Sequence, residues 1–368
     1  MPAASPAGTA PAPAAAEVPI IETVDVAKHF ATGHGGLAGR RATLKAVDGI
    51  SLAISRGQTL ALVGETGSGK TTFGRLILGL YRPTSGDIRY RGTSILDRHS
   101  DAARSVRRQV QGVFQDPYSS LNPTMTVGQS LAEVLKVHHV VDRRSRADRV
   151  AELLSTVGLS PAQAARRPVA FSGGERQRIG IARALAVQPE VIIADEPLSA
   201  LDLSIQAQVL NLMIRLQDER GLTYLFVTHD LDVARHISQR TAVLYLGRVV
   251  EQAPTADIFT EPLHPYTQAL VRAAPRLTTA RKTAKPALTG DLPNAIDRPS
   301  GCHFHPRCPM AMPVCREREP ALIQLPGGRS VTCHLHDPEV MAQSHPGQGT
   351  PSGNGPAAPG AAGGGHPR

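Results

Sequence analysis

Two patterns of hydrophobic and polar residues alternate along most of this chain: continuous apolar runs, and apolar residues at helical spacing. Short, continuous apolar runs at Thr59–Val63, 191–194 and 224–227 are typical of parallel strands that are buried on both faces. Between such runs, apolar side chains recur at the 3.6-residue period of a helix, most clearly over 204–220. This alternation predicts an α/β domain that covers 19–270.

The rest of the chain differs from this domain in composition. Residues 1–18 and 338–368 are low-complexity segments rich in Pro, Ala and Gly, and we expect both to be disordered tails. Residues 271–337 are Pro-rich and contain every cysteine of the chain, which predicts a separate small module. Within 19–270, stronger helix signals and more charge predict a helical subdomain at about 116–187.

Composition narrows the class of protein. With 368 residues, of which 41% are hydrophobic, the chain can bury a sizeable core. It has no signal-peptide pattern and no run of 18 apolar residues, so we expect a cytoplasmic location. The net charge of +9 is compatible with nucleic acid, with an anionic membrane surface or with an arginine-rich genome, and does not choose between them.

One motif fixes the class of ligand. Residues 64–71 match the phosphate-binding pattern G-x-x-x-x-G-K-[ST] without a mismatch, between an apolar strand and a helix start. Glycines allow backbone N–H groups to surround phosphate oxygens, and the helix N-terminus adds positive charge. We expect Lys70 to reach the β- and γ-phosphates of a nucleotide and Thr71 to bind Mg²⁺. The predicted nucleotide contacts in this loop are Gly64, Glu65, Thr66, Gly67, Ser68, Gly69, Lys70, Thr71 and Thr72.

Polar residues at the ends of other apolar runs supply the remaining chemistry. Asp195 is placed to hold Mg²⁺ and its waters, and Glu196 to activate water as a general base. Gln115 offers a side-chain carbonyl to the metal or to water, and His229 is placed to contact the γ-phosphate. Lys70, Glu196 and His229 are therefore the predicted catalytic residues.

A second glycine-rich helix start lies at Ser172, Gly173, Gly174 and Glu175, followed by apolar residues at helical spacing. One bound nucleotide needs only one anion-binding helix N-terminus. We therefore predict that this segment contacts the γ-phosphate of a nucleotide held by another copy of the domain.

Taken together, these motifs resemble the ATP-binding subunit of an ABC transporter, in the order and spacing of that family. The resemblance implies a P-loop ABC ATPase domain, with a RecA-like core plus a helical subdomain, that binds ATP and Mg²⁺. It adds Asp202 as a nucleotide contact from the D-loop. It also implies an aromatic residue that stacks on adenine, for which Phe30 is the best candidate, although Phe30 can equally be a core aromatic. Glu175 departs from the signature Gln of the family and adds negative charge near the γ-phosphate.

Finer motifs point to the oligopeptide and dipeptide importer branch. Residues 114–123, 264–270 and 301–304 resemble that branch, and 245–248 and 288–293 resemble the F-type subunit of its dipeptide importer pair. The resemblance implies an ATPase that powers peptide uptake from the cytoplasmic face of the inner membrane, as a peripheral subunit. The implied partners are a second, related but different ATPase chain, two membrane permeases and, indirectly, an extracytoplasmic peptide-binding protein, with no nucleic acid.

Other functions remain alternatives at this point. The cargo of the same importer class could be a nickel complex or another metal chelate. A soluble ABC ATPase that acts on nucleic acid or ribosomes would suit the basic charge, but the chain has one ATPase domain and no long coiled-coil insertion. A regulatory subunit with weak turnover is disfavoured because Lys70, Asp195, Glu196 and His229 are all present.

The four cysteines lie close together in sequence, as Cys302-x5-Cys308-x6-Cys315-x17-Cys333. In a cytoplasmic protein this favours a metal site over disulfides, and nearby histidines could replace one thiolate. The spacing alone leaves an iron–sulfur cluster, zinc and no metal open. The resemblance to the peptide-importer module implies a [4Fe-4S] cluster, with zinc as the alternative.

Overall fold

The computed structural model describes residues 18–32, 42–97, 99–116, 121–273 and 293–344. Residues 1–17 and 345–368, which make up most of the two predicted tails, lie outside this part. Residues 117–120 and 288–292, which belong to two of the importer-like motifs, also lie outside it. Where the sequence predicts the start of the C-terminal tail, the chain forms a helix over Pro338–Ser344.

The described residues form two sheets. The strands, in chain order, are β1 Ile21–Thr32, β2 Ala42–Ile54, β3 Thr59–Val63, β4 Ser85–Tyr90, β5 Thr93–Ser94, β6 Val110–Val113, β7 Val191–Asp195, β8 Thr223–Thr228, β9 Arg240–Tyr245, β10 Arg248–Pro254, β11 Ile323–Leu325 and β12 Arg329–Val331. The larger sheet has the order β11-β12-β10-β9-β3-β8-β7-β6, and the smaller one the order β2-β1-β4-β5. Strands β9, β3, β8, β7 and β6 run parallel, whereas all pairs of the smaller sheet are antiparallel.

Helices cover and connect these strands. The α-helices are α1 Lys70–Ile77, α2 Asp101–Gln109, α3 Val127–Val137, α4 Arg146–Thr156, α5 Gly173–Leu185, α6 Leu203–Arg220, α7 Leu231–Ile237, α8 Thr255–Thr260, α9 Pro265–Ala273, α10 Val314–Glu317 and α11 Pro338–Ser344. Short 3-10 turns lie at Pro161–Ala165, Pro168–Ala170, His305–Arg307, Pro326–Gly328 and His334–His336. The alternation of parallel strands and helices confirms the α/β class that the apolar pattern predicts.

The register of the parallel strands aligns their carboxyl ends. Val63, the last residue of β3, pairs with Thr228, the last residue of β8. Val113, the last residue of β6, pairs with Ala194 of β7. Residues that follow these strands therefore meet at one edge of the larger sheet, which is where ligands bind in open α/β sheets.

Helices α3, α4 and α5 occupy the region in which the sequence predicts a helical subdomain. Thr126 begins α3 with a capping box: its side chain accepts from the Gln129 N–H, and the Gln129 side chain accepts from the Thr126 N–H. Leu131, Leu153 and Ile181 are buried at 0–1% exposure in the cluster that joins these helices to β7, β8 and α6. This shared core fixes the subdomain against the sheet.

The C-terminal residues are joined to the larger sheet. The sequence predicts a separate module, but β12 pairs with β10 through Glu251 and Val331, and β11 adds a further strand. Phe304 is 1% exposed, and its ring centroid lies 5.3 Å from that of Tyr245 and 5.4 Å from that of Tyr266. The module thus shares a hydrophobic core with β9 and α9.

The carboxylate of Asp48, which is 12% exposed, connects the two sheets and the module. Asp48 of β2 accepts hydrogen bonds from Arg248 of β10 at 3.0 and 3.1 Å and from Arg298 at 2.7 Å, and His29 lies 2.8 Å from its other oxygen. Burial raises the pKa of Asp48, but these hydrogen bonds and the two guanidinium charges outweigh burial and hold it well below its usual range. Asp48 is therefore ionised at neutral pH.

Candidate nucleotide-binding site

The phosphate loop has a backbone that requires glycine at two positions. Gly64 and Gly69 have φ values of 158° and 106°. A Cβ atom on Gly64 would overlap the carbonyl oxygen of Leu244, and one on Gly69 would overlap that of Ala46. The loop therefore packs against its neighbours at distances that only glycine allows, and it leads directly into α1, which begins at Lys70.

Lys70 is almost completely buried at this loop. Its Nζ donates to the carbonyl oxygens of Gly64 at 2.8 Å and Glu65 at 2.9 Å, and lies 4.0 Å from Glu196 Oε1. Burial lowers the pKa of Lys70, while the carboxylates of Glu196, Asp195 and Glu65 oppose that shift. The lysine thus lies between the phosphate loop and the end of β7.

The predicted magnesium ligands lie side by side. Thr71 Oγ1 donates to Asp195 Oδ1 at 2.9 Å, which joins the start of α1 to the end of β7. Burial raises the pKa of Asp195, against the hydrogen bond from Thr71 and the charges of Arg75 and Lys70. Hydroxyl and carboxylate oxygens are ligands that Mg²⁺ prefers, so the donor set fits this ion.

Glu196 has an uncommon backbone conformation. Its φ is 45°, in the left-handed region that costs a residue with a side chain about 1 kcal/mol. Its N–H donates to the Val227 carbonyl at 2.9 Å, so the neighbouring strand stabilises this turn. Glu196 Oε2 lies 3.2 Å from Nδ1 of His229, the residue after β8. The turn thus directs a carboxylate towards the same edge as Lys70 and Thr71.

The other predicted nucleotide contacts, Gln115, Phe30 and Asp202, are described by their positions in the fold. Gln115 is exposed and follows β6 at the same edge as Asp195. Phe30 lies on β1, where its ring makes an edge contact of 5.5 Å with Tyr81 and lies 5.1 Å from Lys28 Nζ. Asp202 is exposed and begins α6.

The signature segment forms the start of α5 in the helical subdomain. Ser172 Oγ accepts from the Glu175 N–H at 3.3 Å, and the Ser172 N–H and hydroxyl both donate to Glu175 Oε2 at 2.9 Å. The hydrogen bond from the Ser172 N–H lowers the pKa of Glu175 most. Burial opposes this shift, and the hydrogen bonds from the Ser172 hydroxyl and Gln163 add to it, so that the pKa lies below its usual value. Glu175 thus completes the capping box of this helix, as glutamine also can, and its negative charge lies favourably at the helix N-terminus. A Cβ atom on Gly174 would overlap the Ile205 side chain, so glycine also allows α5 to approach α6.

The four cysteines are free thiols within one region. The Cys302 N–H donates to the Cys315 carbonyl at 2.8 Å, which brings two of them together. Burial and the neighbouring thiols raise the pKa of Cys302 to about 11 and that of Cys333 to about 12, and burial raises the pKa of Cys308. Among the described residues, no group of three or more His, Cys, Asp or Glu side chains has the arrangement of a metal site. The geometry therefore gives the predicted iron–sulfur or zinc site no support beyond the proximity of the thiols.

Two residues outside the predicted set, Tyr266 and Arg307, also contact the phosphate loop. Tyr266 Oη accepts from the Glu65 N–H at 3.0 Å, and Arg307 pairs with the Glu65 carboxylate. Tyr266 belongs to the importer-like stretch 264–270, and Arg307 lies in the cysteine-containing module 271–337. No local pattern reveals such contacts, because they join residues about 200 positions apart or more.

Fold and site together define a P-loop ATPase of the ATP-binding cassette type. The family model for ABC transporters matches residues 47–199, and the model for the oligopeptide/dipeptide transporter C-terminal region matches 250–315. The fold is similar to that of the ATP-binding cassette MJ0796 in its dimeric post-hydrolysis structure, bound to ADP and Pi. The two chains superpose with a TM-score of 0.56 and are 29% identical, over 64% of this chain and 98% of that chain.

Relatives with similar sequences show to which group of this family the chain belongs. The oligopeptide transport ATP-binding protein AppF of Bacillus subtilis is 48% identical over 326 residues, which cover 88% of this chain and 99% of AppF. The dipeptide transport ATP-binding protein DppF of Escherichia coli is 44% identical over 326 residues, which cover 88% and 97%. The chain belongs to the ATP-binding subunits of ABC transporters, in the oligopeptide/dipeptide group. In the part of the chain that the structure describes, no helix is both long enough and apolar enough to cross a bilayer.

Proposed function

We propose that the protein is the ATP-hydrolysing subunit of an importer for dipeptides or oligopeptides. The observation that carries this proposal is the convergence of Lys70, Thr71, Asp195, Glu196 and His229 at one edge of the larger sheet. The relatives with which the chain shares 44–48% identity are named as dipeptide and oligopeptide transport ATP-binding proteins. The site supports ATP hydrolysis, and the relatives support peptides as cargo.

Each residue has a distinct part in hydrolysis. The backbone of 64–69 and the N-terminus of α1 bind the phosphates, and Lys70 neutralises their charge. Mg²⁺ would be held by Thr71, Asp195 and Gln115. The bound ion would neutralise charge on the β- and γ-phosphates. Glu196 accepts a proton from the attacking water, and the partly exposed His229 contacts the γ-phosphate.

The complete site needs a second ATPase domain. Ser172 is exposed at the N-cap of α5, in the helical subdomain, and Asp202 is exposed at the start of α6. We infer that both act on a nucleotide bound by a partner, in a head-to-tail dimer. The ATP-binding cassette MJ0796 is dimeric in its post-hydrolysis structure, which supports this arrangement. A related but different ATPase chain is the proposed partner.

The proposed importer function also implies membrane partners and a cellular location. Two permeases and, indirectly, an extracytoplasmic binding protein would complete the importer, with this chain at the cytoplasmic face of the inner membrane. Phe30 remains the proposed adenine contact.

We also propose that Cys302, Cys308, Cys315 and Cys333 hold a [4Fe-4S] cluster, with zinc as the alternative. All four thiols are free, and burial followed by the charges of Cys302, Cys308 and Cys315 raises the pKa of Cys333, which supports a four-thiolate site.

Reconstitution tests the proposal. The chain, expressed with its candidate partner ATPase and permeases, should drive ATP-dependent uptake of a labelled dipeptide or pentapeptide into vesicles that contain the binding protein. Lys70→Ala should abolish uptake, whereas Lys136→Ala, at an exposed lysine of α3, should not. Uptake of a nickel chelate without peptide, or hydrolysis stimulated by nucleic acid alone, would support the other functions instead.

A further inference from the structure

The C-terminal module reaches the phosphate loop through one arginine. Arg307 Nη1 donates to Glu65 Oε2 at 2.8 Å, and Arg307 Nη2 donates to Glu65 Oε1 at 2.9 Å. The side chain of Arg307 is 6% exposed and that of Glu65 is 24% exposed. A bidentate pair with so little solvent defines the position of both groups, unlike a surface ion pair.

Aromatic side chains fix the direction of this arginine. The guanidinium carbon of Arg307 lies 5.9 Å from the ring centroid of Tyr245, and that ring lies 4.7 Å from Tyr266. Tyr266 is fully buried, and its Oη accepts from the Glu65 N–H at 3.0 Å. The module and α9 therefore hold both the side chain and the backbone of Glu65.

The backbone carbonyl of Glu65 faces Lys70. The Glu65 carbonyl accepts from Lys70 Nζ at 2.9 Å and from the Ser68 N–H at 3.1 Å. Any displacement of Glu65 thus moves a group that contacts Lys70 and a group that shapes the loop. A continuous set of contacts leads from Arg307 through Glu65 to the phosphate-binding atoms.

We propose that Arg307 is a positioning residue for ATP, which acts through Glu65 to hold the phosphate loop in its binding geometry. This inference rests on the proposed function. Arg307 ends the turn His305–Arg307 and directly precedes Cys308. A change that displaces Cys308 should therefore also lower nucleotide affinity, which makes the module a regulator of the site.

Nucleotide titration of the full chain, together with steady-state kinetics of its complex with the partner ATPase, tests this proposal. Arg307→Gln should raise both the Kd and the KM for ATP about tenfold, with kcat at saturating ATP within about twofold, because the loop can still close on its ligand. Arg307→Lys, which keeps the charge but not the bidentate geometry, should give an intermediate KM. Arg316→Gln, at an exposed arginine of the same module, is the matched control and should leave KM unchanged.

A double-mutant cycle separates positioning from general destabilisation. Glu65→Gln should raise KM about as much as Arg307→Gln, and the double variant should raise it no further, since both remove the same contact. Wild-type affinity in Arg307→Gln, multiplied effects in the double variant, or a fall in kcat at unchanged KM would each overturn the proposal. If Arg307→Gln does not fold, the KM of Arg307→Lys decides alone. Failure of the wild-type chain to bind ATP would instead refute the proposed function.

Discussion

His229 Nδ1 lies 3.2 Å from Glu196 Oε2, although 33 positions separate the two residues in the sequence. The side chain of Glu196 is 12% exposed and that of His229 is 52% exposed. The carboxylate of Glu196 is thus mostly shielded from solvent, whereas the imidazole of His229 is open to it. The pair therefore places a shielded base beside a side chain that a ligand can reach.

Glu196→Gln should lower the rate of ATP hydrolysis by about 10²- to 10⁴-fold, because glutamine cannot accept the proton of the attacking water. Binding of ATP should survive, since Lys70 and the loop are unchanged. Phosphate release and nucleotide titration measure the two properties. Glu219→Gln, at an exposed glutamate of α6, is the control, and equal hydrolysis in Glu196→Gln and wild type would refute the assignment of the base.

Ser172→Arg should reduce turnover of the two-ATPase complex while leaving ATP binding by the isolated chain intact. The reason is that Ser172 is exposed on α5 and is proposed to contact the nucleotide of the partner. A fluorescent-nucleotide titration of the isolated chain decides this. Loss of binding there would place Ser172 at the nucleotide of its own chain.

Glu175→Ala should destabilise the start of α5 by about 1 kcal/mol, because it removes the carboxylate that completes the capping box. Glu175→Gln keeps an acceptor for the Ser172 N–H and should cost less. Thermal unfolding and turnover of the complex should rank the variants wild type, Gln, Ala. Equal effects of Gln and Ala would mean that the charge of Glu175, and not its hydrogen bonds, is what matters.

Asp48→Asn should lower the thermal midpoint at neutral pH, since it leaves Arg248 and Arg298 without their shared carboxylate, at a cost of about 3 kcal/mol. The pKa of Asp48 is held below its usual range, so its stabilising effect is fully present above the unfolded-state pKa of about 3.9 and is lost as pH falls through the folded-state value. The difference in midpoint between wild type and variant should therefore persist from about pH 8 to pH 5, with His29 beside the carboxylate adding to it wherever the imidazole is protonated. Loss of the difference anywhere in that range would contradict the role assigned to Asp48.

Anaerobic purification tests the cysteine proposal. A cluster would give a brown protein with roughly four iron and four sulfide per chain. Cys308→Ser should lose the colour and, through Arg307, raise the Kd for ATP. Stoichiometric zinc without iron would replace the cluster by the alternative metal, and protein without metal would leave the cysteines as packed thiols.

Local sequence patterns were enough to predict the class of fold and the class of ligand. Apolar runs such as Thr59–Val63 predict buried parallel strands, and the phosphate loop constrains its residues through glycine conformations and a lysine at fixed spacing. Such signals are local, so they can be read without knowledge of the fold. The same holds for Asp195 and Glu196 at the end of an apolar run.

The contacts between distant segments depend on the three-dimensional fold and could not be predicted from the chain. The carboxyl ends of β3, β6, β7 and β8 align because of strand register, which brings Thr71 to Asp195 and Glu196 to His229. The C-terminal residues read as a separate module because their composition differs, yet β12 extends the larger sheet and Arg307 reaches Glu65 across 242 positions. Hydrogen bonds of this kind depend on three-dimensional packing and leave no periodic signal along the chain.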